Sequence, residues 1–202
     1  MARAPVPEPP DLRLIELTAD HLRRYGLRRT TIVSIAEAAG MSHANVYRYF
    51  PSKAALVDSV VEQWLRGLEK GLRDIAEGPD PAIDKLERLA AAVHRAYRRK
   101  CIEDPEIFGI FVAMADQNRA SARRHRNRVV SELQRILDEG MSSGAFEAAD
   151  PRDATALVTD ALSRFLAPHQ VLMDRDMPIL ENERRFERVI QLVQRAVQSG
   201  QI

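Results

Sequence analysis

The stretch that most constrains this chain covers residues 31–53, with the sequence TIVSIAEAAGMSHANVYRYFPSK. Its first half has apolar residues at spacings of three and four, which is one face of a short helix: Ile32, Ile35, Ala36 and Ala39. Gly40 follows where a left-handed backbone readily ends a helix. Ser42 is a suitable N-cap for a second helix over residues 43–50. The stretch therefore predicts two short helices joined by a glycine turn.

The second of these helices has an unusually polar outer surface. Val46 and Phe50 are expected to face the core. The residues expected to point outward all carry hydrogen-bonding groups: His43, Asn45, Tyr47 and Arg48. A helix, a glycine-containing turn and a helix with a polar exposed face together are typical of helix-turn-helix DNA-binding modules.

Charge is concentrated near this motif. The whole chain of 202 residues has a formal net charge of only +1, so it is not a polycation that would coat any nucleic acid. Residues 23–53 contain six basic side chains, Arg23, Arg24, Arg28, Arg29, Arg48 and Lys53, against the single acid Glu37. A local excess of positive charge is expected of a surface that contacts phosphates.

Residues 14–53 resemble the DNA-binding head of the tetracycline repressor (TetR) family of bacterial regulators, through IAEAAG, the turn serine, VYRYF and the following SKxxL. The resemblance is specific over roughly the first sixty residues. It implies a three-helix head over residues 11–53, with its helix-turn-helix at 31–50, and a larger body over 54–202 that binds ligand and dimerises. Residues 1–10 are proline-rich and are expected to form a flexible tail.

In such a head, the first residues of the second helix read base edges in the major groove. We expect Asn45 to pair with adenine, His43 to bond a purine edge and the Ala44 methyl to meet a thymine methyl. The family often has lysine, glycine and threonine at these three positions, so the operator sequence stays open.

Other side chains of the head are expected to contact the DNA backbone. The resemblance places Tyr47, Tyr49 and Lys53 near phosphates, although either tyrosine could instead pack against the first helix. Thr31 and Ser42 can add hydroxyl or helix-terminus contacts. Arg48 completes the expected DNA-binding set.

The rest of the chain is predicted to be all-α, with about nine helices in total. A long apolar ladder from Leu56 to Ile75 predicts a fourth helix, capped by Ser52. Two Asp-Pro pairs, Asp104-Pro105 and Asp150-Pro151, are typical helix starts. Pro168 is expected to end or kink the eighth helix, because proline removes a helical hydrogen bond.

The family resemblance implies a homodimer, a palindromic double-stranded DNA operator and a small-molecule inducer, with no cofactor. The dimer helices correspond here to residues 157–166 and 186–197. The inducer pocket is expected to be lined by aromatic and apolar residues, although such residues at helical spacing are usually core: Trp64, Leu68, Tyr97, Phe108, Phe111, Met114 and Phe165.

Some relatives hold a metal in the body, but no such site is predicted here. The candidate ligands are His125 and His169, with Asp116 and His94 as further donors. No HxxxH or similar spacing occurs among them, and His125 lies within the arginine-rich RRHRNR, where an exposed side chain is expected.

Other classes of protein lack support in the sequence. We expect no enzyme, since no Gly-rich phosphate loop, no GxSxG motif and no nucleophilic cysteine context occurs. No apolar run is long enough to span a membrane, and no signal peptide is evident. The single cysteine, Cys101, suits a reducing cytoplasm. The open alternatives are a ligand-independent regulator, an activator, and a helix-turn-helix module that binds protein rather than DNA.

Overall fold

The computed structural model describes residues 9–147 and 150–200, and all of its regular elements in that part of the chain are helices. They are α1 Pro10–Arg29, α2 Ile32–Ala39, α3 His43–Tyr49, α4 Lys53–Ala76, α5 Ala82–Glu103, α6 Pro105–Asp116, α7 Ala120–Ser142, α8 Pro151–Ala161, α9 Ser163–Leu166, α10 Pro168–Met173 and α11 Ile179–Ser199. The all-α prediction is therefore confirmed. The predicted tail lies outside the described residues except for Pro9 and Pro10, and Pro10 already begins α1.

The chain divides into two compact units, Met1–Trp64 and Leu65–Ile202. We call them the head and the body. The division falls inside α4, and the predicted boundary after residue 53 stays a prediction.

The head has a small core made by α1, α2 and α3, in which α2 contacts both of the other helices. The spacing of Ile15 and Leu22 along α1 predicts that they face this core together with the apolar residues of α2 and α3. All of these side chains are buried: Ile15, Leu22, Ile35, Ala36, Val46 and Phe50. The spacing of the apolar residues thus identified the inward face of each helix correctly, because a helix in a small domain must bury one apolar stripe.

Local hydrogen bonds fix the ends of α2 and α3 as predicted. The Thr31 hydroxyl accepts the backbone N–H of Ser34 at 3.1 Å, and the Ser34 hydroxyl accepts the N–H of Thr31 in return. Gly40 has the left-handed φ of 65° that a helix C-terminus favours. The Ser42 hydroxyl accepts the N–H of Asn45 at 3.3 Å and so caps α3.

The sequence predicts a first helix that Asp11 caps and that Gly26 ends, and α1 differs from this prediction at both ends. It begins at Pro10 without a side-chain cap, so Asp11 lies in the first turn instead of capping the helix. There its negative charge still favours the helix N-terminus. Gly26 was expected to end the helix, and its backbone does leave helical geometry, with φ 72° and ψ 170°. A short helical turn follows the kink and reaches Arg29.

The body is organised around α5, which contacts α6, α7, α9, α10 and α11. Side chains along the middle of α5 are completely buried: Leu86, Leu89, Ala90 and Val93. Helix α8 packs against α7, α9 and α11. The cavity described below lies among these helices of the body.

The prediction of about nine helices was too low, because the described residues contain eleven. A single eighth helix was expected up to Pro168, but the backbone turns at Leu162 and separates α8 from the four-residue α9. Pro168 was expected to end or kink the eighth helix, but it is the first residue of α10. Proline suits that position, since the first helical N–H has no intrahelical partner.

Candidate nucleic-acid interface and ligand cavity

The outer face of α3 is a polar, accessible surface in the head. Tyr47 is 51% exposed and Tyr49 is 41% exposed, which leaves neither ring packed into the core. His43, Ala44 and Arg48 are exposed as well. Asn45 is half-buried, and within the described residues its side-chain amide has no hydrogen bond. The face therefore offers donors and acceptors that water or a partner must satisfy.

Three other residues predicted to contact DNA also have structural roles. The Lys53 ammonium donates to the backbone carbonyl of Leu27 at 2.5 Å, which ties the start of α4 to the end of α1. Thr31 is exposed and caps α2, while Ser42 is exposed and caps α3. These caps leave both hydroxyl groups at helix N-termini, where anions are stabilised by the helix dipole.

The body contains a cavity of about 310 Å³. It lies among α5, α6, α7, α8, α9 and α10, and its lining residues are Tyr97, Phe111, Ala115, Asp116, Asn118, Ala122, Arg123, His125, Arg126, Val129, Val130, Leu133, Thr159, Asp160, Ser163, Leu166, Ala167, Pro168 and His169. Such a volume is at the small end of the range for ligand pockets.

A buried chain of hydrogen bonds reaches the cavity wall. The Tyr97 hydroxyl and His125 Nε2 lie 2.8 Å apart. On the other side of the ring, His125 Nδ1 lies 2.9 Å from Glu69 Oε1. Glu69 also forms an ion pair with Arg128. The expectation that His125 is exposed was wrong, because the residue is only 1% exposed.

Burial and neighbouring charges set the ionisation of Tyr97 and Glu69 in this chain of hydrogen bonds. Burial raises the pKa of Tyr97 far above that of an ordinary phenol, so its hydroxyl stays protonated. Burial by itself would raise the pKa of Glu69, but hydrogen bonds and charges from His125 and Arg128 outweigh it and lower that pKa. Glu69 is therefore a carboxylate, and its Oε1 accepts a hydrogen bond from the Nδ1–H of His125.

The structure separates the seven residues predicted to line a pocket. Tyr97 and Phe111 line the cavity, while Phe108, Met114 and Phe165 are buried elsewhere in the body. Phe165 stands edge-on to the His94 ring, with 5.2 Å between centroids. Trp64 and Leu68 are half-buried on α4, and neither lines the cavity.

Helix α7 supplies seven of the nineteen residues that line the cavity, more than any other helix, and the sequence did not lead us to expect this. The signal was present, since Ala122, His125 and Val129 recur at spacings of three and four, with Leu133 one turn further. That stripe would have predicted an inward His125. The arginines around it masked the pattern. Asn118 in the turn before α7 has a positive φ of 51°, a conformation that asparagine tolerates better than most residues.

The candidate metal ligands do not converge. His169 Nδ1 lies 3.3 Å from Asp116 Oδ2, but His125 is engaged with Tyr97 and Glu69. His94 lies against Asn182 and the Phe165 carbonyl. Across residues 9–147 and 150–200, no group of three or more potential metal ligands occurs. No helix in the same residues is both long and apolar enough to cross a bilayer.

A three-helix head with a capped, polar helix-turn-helix and a helical body with a cavity define a class of DNA-binding transcriptional regulators. Comparison with known families supports this directly. The family model described as "Tetracyclin repressor-like, C-terminal domain" matches residues 82–190, and "Bacterial regulatory proteins, tetR family" matches residues 14–60. The chain belongs to the tetracycline repressor family, and the resemblance inferred from the head is confirmed.

Individual relatives agree with this assignment. The chain is 28% identical over 134 residues to the HTH-type transcriptional repressor KstR2 of Mycobacterium tuberculosis, covering 66% of this chain and 67% of that protein. Two solved structures share the fold. FadR of Bacillus subtilis in complex with stearoyl-CoA has a TM-score of 0.62 at 16% identity, covering 94% of this chain and 98% of that one. RolR in complex with resorcinol has a TM-score of 0.61 at 21% identity, covering 93% and 87%.

Proposed function

We propose that this regulator is a homodimeric repressor that reads a palindromic operator with α3 and is released by a small molecule bound in the body. The observation that carries the proposal is the accessible polar face of α3 beside a capped turn. Asn45 lies at the N-terminal end of that helix, where side chains meet base edges when a recognition helix enters the major groove.

The DNA contacts divide by chemistry. His43, Ala44 and Asn45 supply the base-reading set at the start of α3. Tyr47, Arg48 and Tyr49 supply exposed groups for phosphates further along the helix, and the caps at Thr31 and Ser42 add helix N-termini. Lys53 would contribute its remaining N–H groups, since one already bonds to the Leu27 carbonyl.

The test is operator binding by fluorescence anisotropy, using duplexes selected from a random library and two salt concentrations. Asn45→Ala is expected to lower the affinity for the selected duplex by about 5- to 150-fold. This range corresponds to the loss of about 1–3 kcal/mol when a bidentate contact to a base is removed. Asn127→Ala, an exposed asparagine on α7, is the matched control and should bind as the wild type does. Equal affinity of Asn45→Ala and wild type would overturn the assignment of the reading helix.

Dimerisation is supported by an apolar stripe on α11. Val189 and Ala196 are half-buried and Leu192 is 63% exposed, at spacings of three and four along one face. Such a stripe on a helix that has already buried Phe186 and Ile190 needs a further partner. A two-fold dimer would also match the symmetry of a palindromic operator.

The oligomeric state can be measured by sedimentation velocity. Leu192→Glu places a charge in the proposed contact and is expected to shift the protein toward monomer at micromolar concentration. Gln191→Glu, one residue away on the exposed surface, is the matched control. A wild type that sediments as a monomer at all concentrations would contradict the dimer.

The cavity in the body supports a small-molecule inducer. The FadR and RolR structures were solved with ligands of different size, stearoyl-CoA and resorcinol. The cavity of about 310 Å³ here favours the smaller class. An inducer would release DNA by binding the DNA-free conformation more tightly, and the shift is limited by that difference in affinity.

A further inference from the structure

The connection between α1 and α2 in the head carries two arginines that none of the DNA contacts proposed above uses. Arg28 and Arg29 are both exposed. Within residues 9–147 and 150–200, neither side chain forms a hydrogen bond or an ion pair. Two adjacent guanidinium groups without a carboxylate partner leave a local positive charge, and their N–H groups suit the oxygens of a phosphate.

The backbone that carries these arginines is held in place by hydrogen bonds. Gly26 has φ 72° and ψ 170°, a conformation that only glycine adopts readily. Its carbonyl accepts the N–H of the buried Thr30 at 3.2 Å and the Thr30 hydroxyl at 2.9 Å. We call residues 26–30 the basic turn. A segment that is ordered before binding loses less conformational freedom when it meets a partner.

Lys53 adds a further restraint and a further charge to the basic turn. Its ammonium donates to the Leu27 carbonyl at 2.5 Å, which joins the start of α4 to the turn. A carbonyl has no net charge, so this bond does not neutralise Lys53. Residues 23–53 contain six basic side chains and the single acid Glu37, so the electrostatic potential around the turn is expected to be positive.

The position of the basic turn in the chain indicates which anion it meets. The turn leads directly into Thr31, which caps the N-terminus of α2, the first helix of the helix-turn-helix. When a recognition helix lies in the major groove, the helix before it crosses the DNA backbone. Side chains at the start of α2 are then brought to the phosphates. The partner that fits this position is therefore DNA rather than a free anion.

A structural role at the end of α1 is the alternative for Arg28 and Arg29. Cations near a helix C-terminus interact favourably with the helix dipole, but the effect is confined to the last turn. The kink at Gly26 ends the helical geometry of the long part of α1 before these residues. This role would also predict a loss of stability, and no change in DNA binding, when the two charges are removed.

We propose that Arg28 and Arg29 bind phosphates of the operator backbone. This site rests on the proposed function, because it extends the DNA-binding surface of the head beyond α3. Phosphate contacts carry no sequence information, so the basic turn would strengthen binding to every duplex and leave the choice of sequence to the first residues of α3.

The test compares the full-length wild type with Arg28→Gln/Arg29→Gln by fluorescence anisotropy, using the selected operator duplex and a duplex of scrambled sequence. Loss of two phosphate contacts is expected to reduce the slope of log affinity against log salt by about 1.8 on both duplexes. The advantage of the wild type should therefore be about twelvefold larger at 50 mM than at 200 mM salt. Arg28→Lys/Arg29→Lys keeps the charges and should keep the wild-type slope.

Two further measurements separate a direct contact from a general effect of charge. Arg152→Gln/Arg184→Gln removes two exposed arginines from the body and is the matched control, which should keep the wild-type slope. Operator duplexes in which one phosphate at a time is replaced by an uncharged methylphosphonate then locate the contacts. Replacement of a contacted phosphate should weaken binding of the wild type and leave binding of Arg28→Gln/Arg29→Gln nearly unchanged.

Three results would overturn the phosphate site: a wild-type slope in Arg28→Gln/Arg29→Gln, an equal reduction of the slope in the body control, or a methylphosphonate scan that affects wild type and variant alike at every position. Each of them is compatible with the proposed function as long as the wild type binds its selected duplex and Asn45→Ala weakens that binding. A wild type that binds no duplex refutes the proposed function and the phosphate site together.

Discussion

The face of α3 and the cavity of the body both display hydrogen-bonding side chains, but those side chains have opposite surroundings. On α3, Tyr47, Tyr49 and Arg48 reach into solvent. In the body, Tyr97 and His125 are buried and bond to each other at 2.8 Å. An exposed group can exchange water for DNA at little cost, whereas a buried group accepts only a partner that completes its existing bonds. One surface is thus suited to a large polar partner and the other to a small selective one.

The largest expected effect is on the stability of the body, when an aromatic side chain of its core is removed. Phe108 is completely buried and its ring centroid lies 6.1 Å from that of Phe111, but it does not line the cavity. Phe108→Ala is expected to lower the free energy of unfolding by about 3–5 kcal/mol, because it leaves a void in a packed core. Urea denaturation followed by circular dichroism measures this. Phe108→Leu should cost much less, and a loss below about 1 kcal/mol for alanine would place Phe108 outside the core.

A substitution on α3 should instead change binding and leave stability alone. Arg48 is exposed, and within the described residues it has no ion pair. Arg48→Gln is expected to weaken binding to all duplexes alike and to reduce the slope of log affinity against log salt by about 0.9, the value for one phosphate contact. Arg184→Gln on α11 is the control, and it should keep the wild-type slope. A loss confined to one operator sequence would show that Arg48 reads a base.

A third change tests whether the head depends on its local caps. Thr31→Ala removes the hydroxyl that accepts the Ser34 N–H, and it is expected to cost about 1 kcal/mol. Hydrogen exchange at the first turn of α2 should accelerate, which mass spectrometry can follow. Thr31→Ser keeps the oxygen and should retain the protection. Equal exchange in both variants would mean that packing rather than the cap holds the start of α2.

The smallest effect is a pH dependence in the body. Burial lowers the pKa of His94, and nearby Arg98 and Arg95 act in the same direction, while bonds with Asn182 and the Phe165 carbonyl oppose the shift in part. The unfolded chain therefore binds this proton at higher pH than the folded chain does. The contribution to stability should be complete above about pH 6.5 and should be lost as pH falls through the lowered pKa.

Denaturation of wild type and His94→Gln across this range isolates the effect. The difference between pH 7.5 and pH 5.5 is expected to be smaller in the variant, whatever its absolute stability. Glu69 does not interfere, because its pKa is lowered from an ordinary value of 4.5 and its titration lies at more acid pH. Identical pH profiles would show that other groups dominate in this window.

Much of the head was predictable because its determinants are neighbours in the chain. The caps at Thr31 and Ser42 act on an N–H three residues later, and Gly40 acts through its own φ. Periodicity assigned Val46 and Phe50 to the core for the same reason, since a helix repeats every 3.6 residues whatever lies beyond it. The sequence alone thus determined the fold class, the helix-turn-helix and the family.

The cavity depended on residues that are distant in the chain. Tyr97, Phe111 and Thr159 come from three helices, and no local pattern brings them together. Tertiary structure also decided which aromatics pack in the core and which line the cavity, because periodicity identifies a buried face without showing what that face meets. His125 is the clearest case: its neighbours in sequence are arginines, whereas its neighbours in space are Tyr97 and Glu69, contributed by α5 and α4. Burial there is set by the packing of separate helices, which the order of residues along α7 does not specify.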